Sequence, residues 1–363
     1  MKSVLIGVGQ AGGKVARALS DFDSRNDFGA VRGALAVNSA ASDLRSIPFE
    51  TVLVGQAKVN GHGVGGDNEL GAEVMRDDVD EVMGAIDGRV TAEAEAIFVV
   101  AGLGGGTGSG GAPVLVQQLQ RVYDVPVYGV GILPGADEGA MYQVNAGRSL
   151  KTLVREADAT LLVENDAWRE AGESLESGYE AINEAIARRL GLLLASGEVV
   201  EGVAESVVDS SEIINTLRDG GVAALGYAEA LVGDDATADV NTVMSTTRQA
   251  LRTGMSLPDT DRAEKALLVV AGRPEAISRK GVERARKWLE EETETMQVRG
   301  GDFPLSSDRV ASLVLLGGVT GSERMDRFMK RAQRATREAK DRAKKRRDDG
   351  ASAFESDELD NLI

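Results

Sequence analysis

The stretch LGGGTGSGG, from Leu103 to Gly111, constrains this chain more than any other part of its sequence. It follows an apolar run from Ala96 to Ala101 that predicts a buried strand, and it precedes a helix-like pattern. So much glycine would weaken the interior of any element, so the backbone here must need positive φ angles or a very close approach to a ligand. Successive bare N–H groups at a helix N-terminus suit a bound polyphosphate. A flexible linker is the alternative, but linkers rarely join a buried strand to a helix of one sheet.

Composition excludes several kinds of chemistry. The 363 residues include no cysteine, which excludes disulfides and thiolate sites, and the single histidine, His62, disfavours histidine triads and multi-histidine zinc sites. A net charge of −17 makes nucleic acid an improbable main partner. The excess of carboxylates resembles proteins of salt-loving archaea. No apolar run is long enough to be an integral membrane segment and the N-terminus lacks signal-peptide features, so we expect a cytoplasmic protein.

The order of strand and helix patterns predicts an α/β fold. The first half alternates the two and indicates a doubly wound, mostly parallel sheet, whose ligands bind at the carboxyl ends of the strands. From Leu175 to Glu198 the pattern becomes one long, largely buried helix. Beyond it, helices near 211–218, 240–252 and 278–292 are interspersed with strands at 265–272, near Met296 and at 310–319. These predict a second, smaller α/β domain, joined to the first by the long helix.

Two further glycine clusters lie in the first half. GVGQAGG, at Gly7 to Gly13, follows the first strand and matches G-x-G-x-x-G, but a dinucleotide site needs an acidic residue at the end of the second strand, where this chain has Asn38. It is not a Walker A loop either, because Lys14 lacks the spacing and Val15 stands where serine or threonine belongs. The third cluster is NGHGVGGDNELG, from Asn60 to Gly71. Three such loops indicate a phosphate chain held mainly by main-chain amides.

Taken together, these loops resemble those of the tubulin and FtsZ superfamily, over nearly the whole chain. GGGTGSG is similar to the signature loop, GVGQAGG to the first loop, AVNSAASDL (36–44) to the second, and GHGVGGDNELG to the third, which senses the terminal phosphate. The resemblance implies a GTP-binding domain at 1–174, a central connecting helix at 175–200 and a C-terminal GTPase-activating domain at 201–320. A basic helix at 321–347 and an acidic flexible tail at 348–363 would follow. The implied ligands are GTP or GDP with Mg²⁺.

The resemblance also implies roles for single residues. Glu138 and Asn165 would bind the ribose and the guanosine, although Tyr142 stands where FtsZ-type members usually have arginine. Tyr179 and Asn183, one turn apart on the long helix, match the guanine pocket; taken alone, they would be read as a core tyrosine and a solvated asparagine. The other implied nucleotide-binding residues are Gly9, Gln10, Ala11, Gly12, Gly13, Lys14, Asn38, Gly65, Gly66, Asp67, Gly104, Gly105, Gly106, Thr107, Gly108 and Ser109.

The metal and the lone histidine are less well defined by the resemblance. Gln10 and Asp67 are candidates for contacting Mg²⁺, with phosphate and water supplying the rest of its coordination. His62 lies in the third loop, where it is a loop residue or a phosphate contact rather than a metal ligand.

The acidic pair Asp209 and Glu212 lies at the start of the helix after the long one. Locally it predicts a helix cap with a capping box. In the superfamily, this loop enters the nucleotide site of the next subunit, where its carboxylates position the attacking water. The resemblance therefore implies Asp209 and Glu212 as catalytic residues that act on a neighbour's GTP. Asp-x-x-Glu is closer to the tubulin pattern than to the Asp-x-x-Asp of FtsZ, and Val207 replaces a common asparagine.

Within the superfamily, the archaeal CetZ group fits best. The implied protein is a GTPase that polymerises head to tail with itself and controls cell shape. An FtsZ-type division protein, a non-hydrolysing GTP-dependent scaffold and, least favoured, a nicotinamide-dependent oxidoreductase are the alternatives. For the basic segment from Arg324 to Arg347 we expect a solvated helix whose apolar stripe docks on the second domain, with nucleic-acid or membrane binding as alternatives. The tail, with Phe354 and Ile363, is either a peptide that binds cytoskeletal partners or a disordered end.

Overall fold

The computed structural model describes residues 1–167, 175–198, 208–232 and 239–354. Over these ranges the strands are β1 Ser3–Val8, β2 Val31–Asn38, β3 Thr51–Leu53, β4 Ala96–Gly102, β5 Val127–Leu133, β6 Ala159–Glu164, β7 Val222–Leu231, β8 Thr260–Gly272, β9 Val298–Pro304 and β10 Arg309–Ser322. The helices are α1 Gly9–Asn26, α2 Ala41–Leu44, α3 Gln56–Val59, α4 Asn68–Asp77, α5 Val79–Ile86, α6 Thr107–Val122, α7 Ala140–Glu156, α8 Leu175–Ser196, α9 Ser210–Leu217, α10 Val240–Arg252, α11 Arg279–Glu292 and α12 Glu323–Phe354.

The strands form one continuous sheet in the order β3-β2-β1-β4-β5-β6-β7-β10-β8-β9. From β3 to β7 every neighbouring pair is parallel, so the carboxyl ends of these strands lie along the same edge. The loops after β1, β2, β4, β5 and β6 therefore meet there, as the sequence pattern predicted. We call this the carboxyl edge of the sheet.

The second half of the chain extends the same sheet. β7 pairs with β6 through Thr160–Val222 and Leu161–Ala223, and β10 then runs antiparallel to both β7 and β8. The sequence pattern did not predict β7, whose segment VAALGYAEAL is rich in alanine rather than in β-branched residues. The mostly parallel sheet was predicted correctly, but the second half shares it with the first.

The long helix α8 packs across both halves of the sheet. Its buried residues Ile186, Leu190 and Leu193 belong to one apolar cluster with Leu5 of β1 and Leu315 of β10. A helix of this length spans about 33 Å, enough to reach both halves. Since these side chains contact both halves, α8 couples the stability of the two. Truncating one of them to alanine is expected to lower the free energy of unfolding by about 2–5 kcal/mol.

The basic helix α12 docks mainly on α7 of the first half, whereas only docking on the second domain was expected; Met325, at its start, packs against the clusters of both halves. Its apolar stripe places Phe328 and Ala332, 1% and 3% exposed, in the cluster that contains Leu150 and Leu153 of α7. Gly147 of α7 lets the two helices approach closely, because a Cβ on this residue would lie 2.8 Å from the Ala332 Cβ. Of the tail, the part beyond Phe354 lies outside the described residues, as do Val207 and residues 168–174. No helix in the described part of the chain is long and apolar enough to cross a membrane.

Candidate nucleotide site

A pocket of about 500 Å³ opens at the carboxyl edge of the sheet. This volume lies within the range of about 300–1,000 Å³ that is typical of small-molecule sites. Most of the residues predicted to bind the nucleotide line it together: Gly9, Gln10, Ala11, Lys14, Asn38, Gly65, Gly66, Gly104, Gly105, Gly106, Thr107, Gly108, Glu138, Asn165, Tyr179 and Asn183. Residues from all three glycine loops and from α8 therefore face one cavity.

Four predicted residues do not line this pocket, and each supports the loops instead. A Cβ on Gly12 would lie 2.1 Å from the Val100 carbonyl oxygen, and Gly13 packs in the buried layer beside it. Asp67 caps α4, because its Oδ1 accepts hydrogen bonds from the N–H groups of Glu69 and Leu70 at 2.9 and 3.0 Å. The Ser109 hydroxyl donates to the carbonyl oxygens of Gly105 and Gly106 and ties the signature loop to the first turn of α6.

The glycines of the signature loop serve close packing rather than unusual dihedral angles. None of them has a positive φ angle, whereas Gly9, Gly65 and Gly66 do, at 74°, 59° and 83°. A Cβ on Gly106 would lie 2.4 Å from Val64 Cγ2 and 3.0 Å from the Gly66 carbonyl carbon. The sequence suggested that this glycine run needs either positive φ angles or a close approach to a ligand, and the first of these two explanations is wrong for this loop. These glycines let the loops touch one another, whereas Gly105 faces open space, since a Cβ on it would meet nothing within 4 Å.

Asn38 organises the second loop. Its Oδ1 accepts a hydrogen bond from the N–H of Ser39 at 2.8 Å, and its Nδ2 donates to Asp43 Oδ2 at 3.0 Å. The neighbouring Ser39 hydroxyl lies 2.6 Å from that of Thr107, so the second loop is bonded to the signature loop. An acidic side chain at position 38 could not donate to Asp43, which is a physical reason why this strand end departs from the dinucleotide pattern.

The two polar groups assigned to the nucleoside lie in the loops that follow β5 and β6. Glu138 Oε1 accepts a hydrogen bond from the N–H of Gly135 at 2.8 Å and lies 3.4 Å from Asn165 Nδ2. Asn165 is 9% exposed, so its amide is held in place by the fold. Both side chains keep further hydrogen-bonding capacity for a ligand.

The pocket side formed by α8 presents a ring beside an amide. Tyr179 and Asn183 both line the pocket, with Ile182 between them, and Tyr179 is 37% exposed. Residues four apart share a helix face, so an aromatic ring and a hydrogen-bonding amide can act on the same flat ligand. The interpretation of Tyr179 as a core residue does not fit this exposure.

Three more polar residues line the pocket: Asp43 of the second loop, Tyr142, and His62, which was predicted to be a loop residue or a phosphate contact. Tyr142 packs so closely that a Cβ on Gly104 would lie 3.2 Å from its Cβ. Asn145 lies outside the predicted set. Asn145 of α7 is a buried support residue whose amide bonds to both the third loop and the signature loop. The signal for Asn145 was weak, since one polar residue inside a helix pattern has no motif around it.

Asp209 and Glu212 lie away from this pocket, at the opposite edge of the parallel sheet. Asp209 is the N-cap of α9, accepting a hydrogen bond from the Glu212 N–H at 3.0 Å, which is the N-cap that the sequence predicted. The hydroxyl of Ser210 contacts Glu95 Oε1, next to the start of β4. The two carboxylates and the pocket of one molecule are therefore separated by the length of the strands.

The two carboxyl groups differ in their pKa values. The Ser211 hydroxyl, bonded to Asp209 at 2.5 Å, lowers the pKa of Asp209. Partial burial and then the charge of Asp209 raise the pKa of Glu212, while Arg299 opposes that rise. Environments that shift the pKa values of two neighbouring carboxyl groups in opposite directions are common at functional sites.

The described residues contain no group of three or more histidine, aspartate or glutamate side chains that could hold a metal ion. Mg²⁺ in nucleotide sites is usually held by one or two protein groups together with phosphate oxygens and water. Gln10 lines the pocket, and the second carboxylate oxygen of Asp67 is not used by its cap.

Comparison with known proteins gives the same family for both halves of the chain. The Tubulin/FtsZ family GTPase domain profile matches residues 2–173, and the profile of the tubulin-like CetZ C-terminal domain matches residues 172–334. Tubulin-like protein CetZ2 of Haloferax volcanii is 68% identical, with all of each chain covered. CetZ1 of the same organism is 50% identical, covering 94% of this chain and 93% of that protein.

Solved structures agree with these matches. A GTPγS-bound protofilament of Haloferax volcanii CetZ2 aligns with a TM-score of 0.90, covering 94% of this chain and 100% of that one. A GDP-bound monomer of CetZ1 from the same organism aligns at 0.84, covering 93% and 100%. An FtsZ dimer of M. jannaschii, 21% identical, aligns at 0.73 over 88% of each chain and shows the shared fold.

Proposed function

This chain belongs to the CetZ group of the tubulin/FtsZ family, and we propose that it binds GTP in the pocket at the carboxyl edge and hydrolyses it when molecules assemble head to tail. The family membership and the fold that the sequence resemblance implied are confirmed. The observation that carries the proposal is the separation of the pocket from Asp209 and Glu212. In a head-to-tail filament, the carboxylate edge of one molecule would meet the pocket edge of the next.

The chemistry explains why such a division matters. Phosphoryl transfer to water needs a positioned water, charge neutralisation at the terminal phosphate and little else. The pocket supplies main-chain amides from the glycine loops, with Lys14 at its edge. Asp209 and Glu212 of the next molecule would orient and polarise the water, so that hydrolysis depends on assembly.

In this proposal Mg²⁺ would neutralise negative charge on the phosphate groups of the bound nucleotide. Gln10 is the side chain best placed to contact it, with Asp67 as the second candidate. Because few protein ligands are offered, we expect Mg²⁺ affinity to depend on bound nucleotide.

The assembled state of relatives supports the proposal. The CetZ2 structure of Haloferax volcanii is described as a GTPγS-bound protofilament and the CetZ1 structure as a GDP-bound monomer. We propose that this chain also forms protofilaments with GTP and that they control cell shape, the role implied by the CetZ resemblance. Tail-binding cytoskeletal partners and a cytoplasmic location stay predictions from the sequence.

The test is GTP turnover per molecule measured against protein concentration in molar KCl, with light scattering to follow assembly. We expect turnover to rise with concentration for the wild type, and Glu212→Ala to assemble while hydrolysing very slowly. Turnover that does not depend on concentration would contradict the shared site. NADH binding in the same pocket would instead revive the oxidoreductase alternative.

A further inference from the structure

A single buried amide joins two of the loops that surround the pocket. Asn145, on the second turn of α7, is 5% exposed. Its Nδ2 lies 2.8 Å from the carbonyl oxygen of Gly66, 3.0 Å from that of Gly104 and 3.1 Å from that of Gly105. Gly66 belongs to the third loop, and the two others belong to the signature loop. One side-chain amino group thus ties the two loops to α7.

The same face of α7 packs on these loops one turn earlier. A Cβ on Gly66 would lie 2.5 Å from Met141 Cε, so the end of that side chain rests directly on the third loop. Tyr142 contacts Gly104 of the signature loop in the same way. Residues at i, i+3 and i+4 share a helix face, so Met141, Tyr142 and Asn145 form one contact surface. We call this surface the α7 clamp.

The clamp also orients main-chain groups. In a trans peptide, the C=O and the following N–H point in opposite directions. Because Asn145 holds the carbonyl oxygens of Gly104 and Gly105, the N–H groups of Gly105 and Gly106 are directed away from α7. Both of these residues line the pocket. The Ser109 hydroxyl also holds the Gly105 carbonyl oxygen, whereas the Gly104 carbonyl oxygen is held by Asn145, so the Gly105 N–H depends most on Asn145 for its direction.

We propose that Asn145 is a positioning residue that sets the preference of the pocket for a guanosine triphosphate over the diphosphate. It holds the third loop, through Gly66, at a fixed distance from the phosphate-binding amides of the signature loop. This inference rests on the proposed function, since it assigns the third loop to the terminal phosphate. The loss of Asn145 removes the hydrogen bond that holds Gly66 to α7, so a ligand that contacts the third loop at this point is weakened more than one that does not.

The experiment measures dissociation constants for GTPγS and GDP at protein concentrations below assembly, for three variants. We expect Asn145→Ala to weaken GTPγS binding about tenfold more than GDP binding, because only the triphosphate reaches the third loop. Met141→Ala should change the ratio of the GTPγS and GDP dissociation constants about threefold in the same direction. Ser149→Ala is the matched control, because this α7 hydroxyl is equally buried, at 3% exposure, but has no hydrogen-bond partner among the described residues.

Each outcome decides the inference. Equal weakening of both nucleotides by Asn145→Ala would mean that the amide supports the fold alone, and would overturn it. If Asn145→Ala does not fold, as thermal unfolding would reveal, Met141→Ala decides, since that side chain is 46% exposed and its loss spares the core. An unchanged ratio in Met141→Ala then overturns the inference. A wild-type protein that binds neither nucleotide contradicts the proposed function instead.

Discussion

The two edges of the parallel sheet are built in opposite ways. At the carboxyl edge, a large pocket is lined by closely packed glycine loops, whose main-chain N–H groups are accessible to a ligand because glycines have no side chains to cover them. At the other edge, Asp209 and Glu212 offer carboxylates on the first turn of a short helix. The pocket edge contains acids as well: Asp67 caps α4 as Asp209 caps α9, while Asp43 and Glu138 accept hydrogen bonds within the loops.

Under the proposed function, the two edges divide nucleotide binding from hydrolysis. Main-chain amides suit a phosphate chain, because they provide many donors in a rigid arrangement without a charge to desolvate. They cannot accept a proton or orient a water through a negative charge. Under the proposed function, a molecule with one edge of each kind would hold GTP by itself and would acquire the carboxylates from a neighbour. The following predictions test each edge separately.

The largest effect is expected at the carboxylate edge. Asp209→Asn removes the charge but keeps an oxygen that can cap α9, so we expect the fold to persist while GTP turnover falls by about a hundredfold. Asp239→Asn is the matched control, because Asp239 caps α10 through the N–H groups of Asn241 and Thr242. A similar loss of turnover in both variants would show that the effect comes from helix capping. The measurement is phosphate release in assembled protein.

A second prediction addresses the pocket edge. Gly105→Ala places a methyl group in open space on the pocket wall, so we expect normal thermal unfolding but about tenfold weaker binding of GTPγS and GDP. Gly84→Ala is the control, because this glycine of α5 also faces open space and does not line the pocket. Unchanged nucleotide binding by Gly105→Ala would mean that the phosphates do not approach this part of the main chain.

The third prediction tests the base-binding side of the pocket. Tyr179→Ala should weaken both guanine nucleotides about tenfold, since stacking of a base on an aromatic ring contributes about 1–3 kcal/mol. Tyr179→Phe keeps the ring and should bind within about twofold of the wild type. If Phe and Ala are equally weak, the hydroxyl rather than the ring carries the interaction. Nucleotide competition at low protein concentration distinguishes the two.

The sequence was a good guide to the pocket because its loops follow strand ends. The positions of Gly9, Gly66 and Gly106 could be predicted, since parallel strands bring their carboxyl-end loops together whatever the side chains are. Several details depended on tertiary packing and could not. β7 was missed because pairing with β6 and β10 overrides the low strand propensity of its alanines. The docking of α12 on α7 depends on the small size of Gly147. The sequence alone could not show this, because the importance of that size depends on which helix packs against it.

The supports of the pocket were harder to predict than its lining. Ser109, Gly12 and Asp67 were assigned to the nucleotide because they lie in the motifs, yet in the structure they bond or pack within the protein. Asn145 was not assigned at all, although it contacts both loops. A motif identifies which segment approaches a ligand. It does not identify which of its side chains face inward, because that depends on the turn each loop adopts.

The smallest expected effect is a shift in pH dependence at the carboxylate edge. If Glu212 must be ionised, turnover is lost as pH falls through its pKa, which burial and the charge of Asp209 raise above the ordinary value of about 4.3. Arg299→Gln removes a neighbouring cation that lowers this pKa, so the acid limb should move to higher pH. Arg309→Gln is the control, because the Arg309 guanidinium pairs with Glu229 at 2.7 Å. Circular dichroism over the same range separates titration from acid unfolding, and an acid limb that stays in place in Arg299→Gln would mean that a group other than Glu212 controls it.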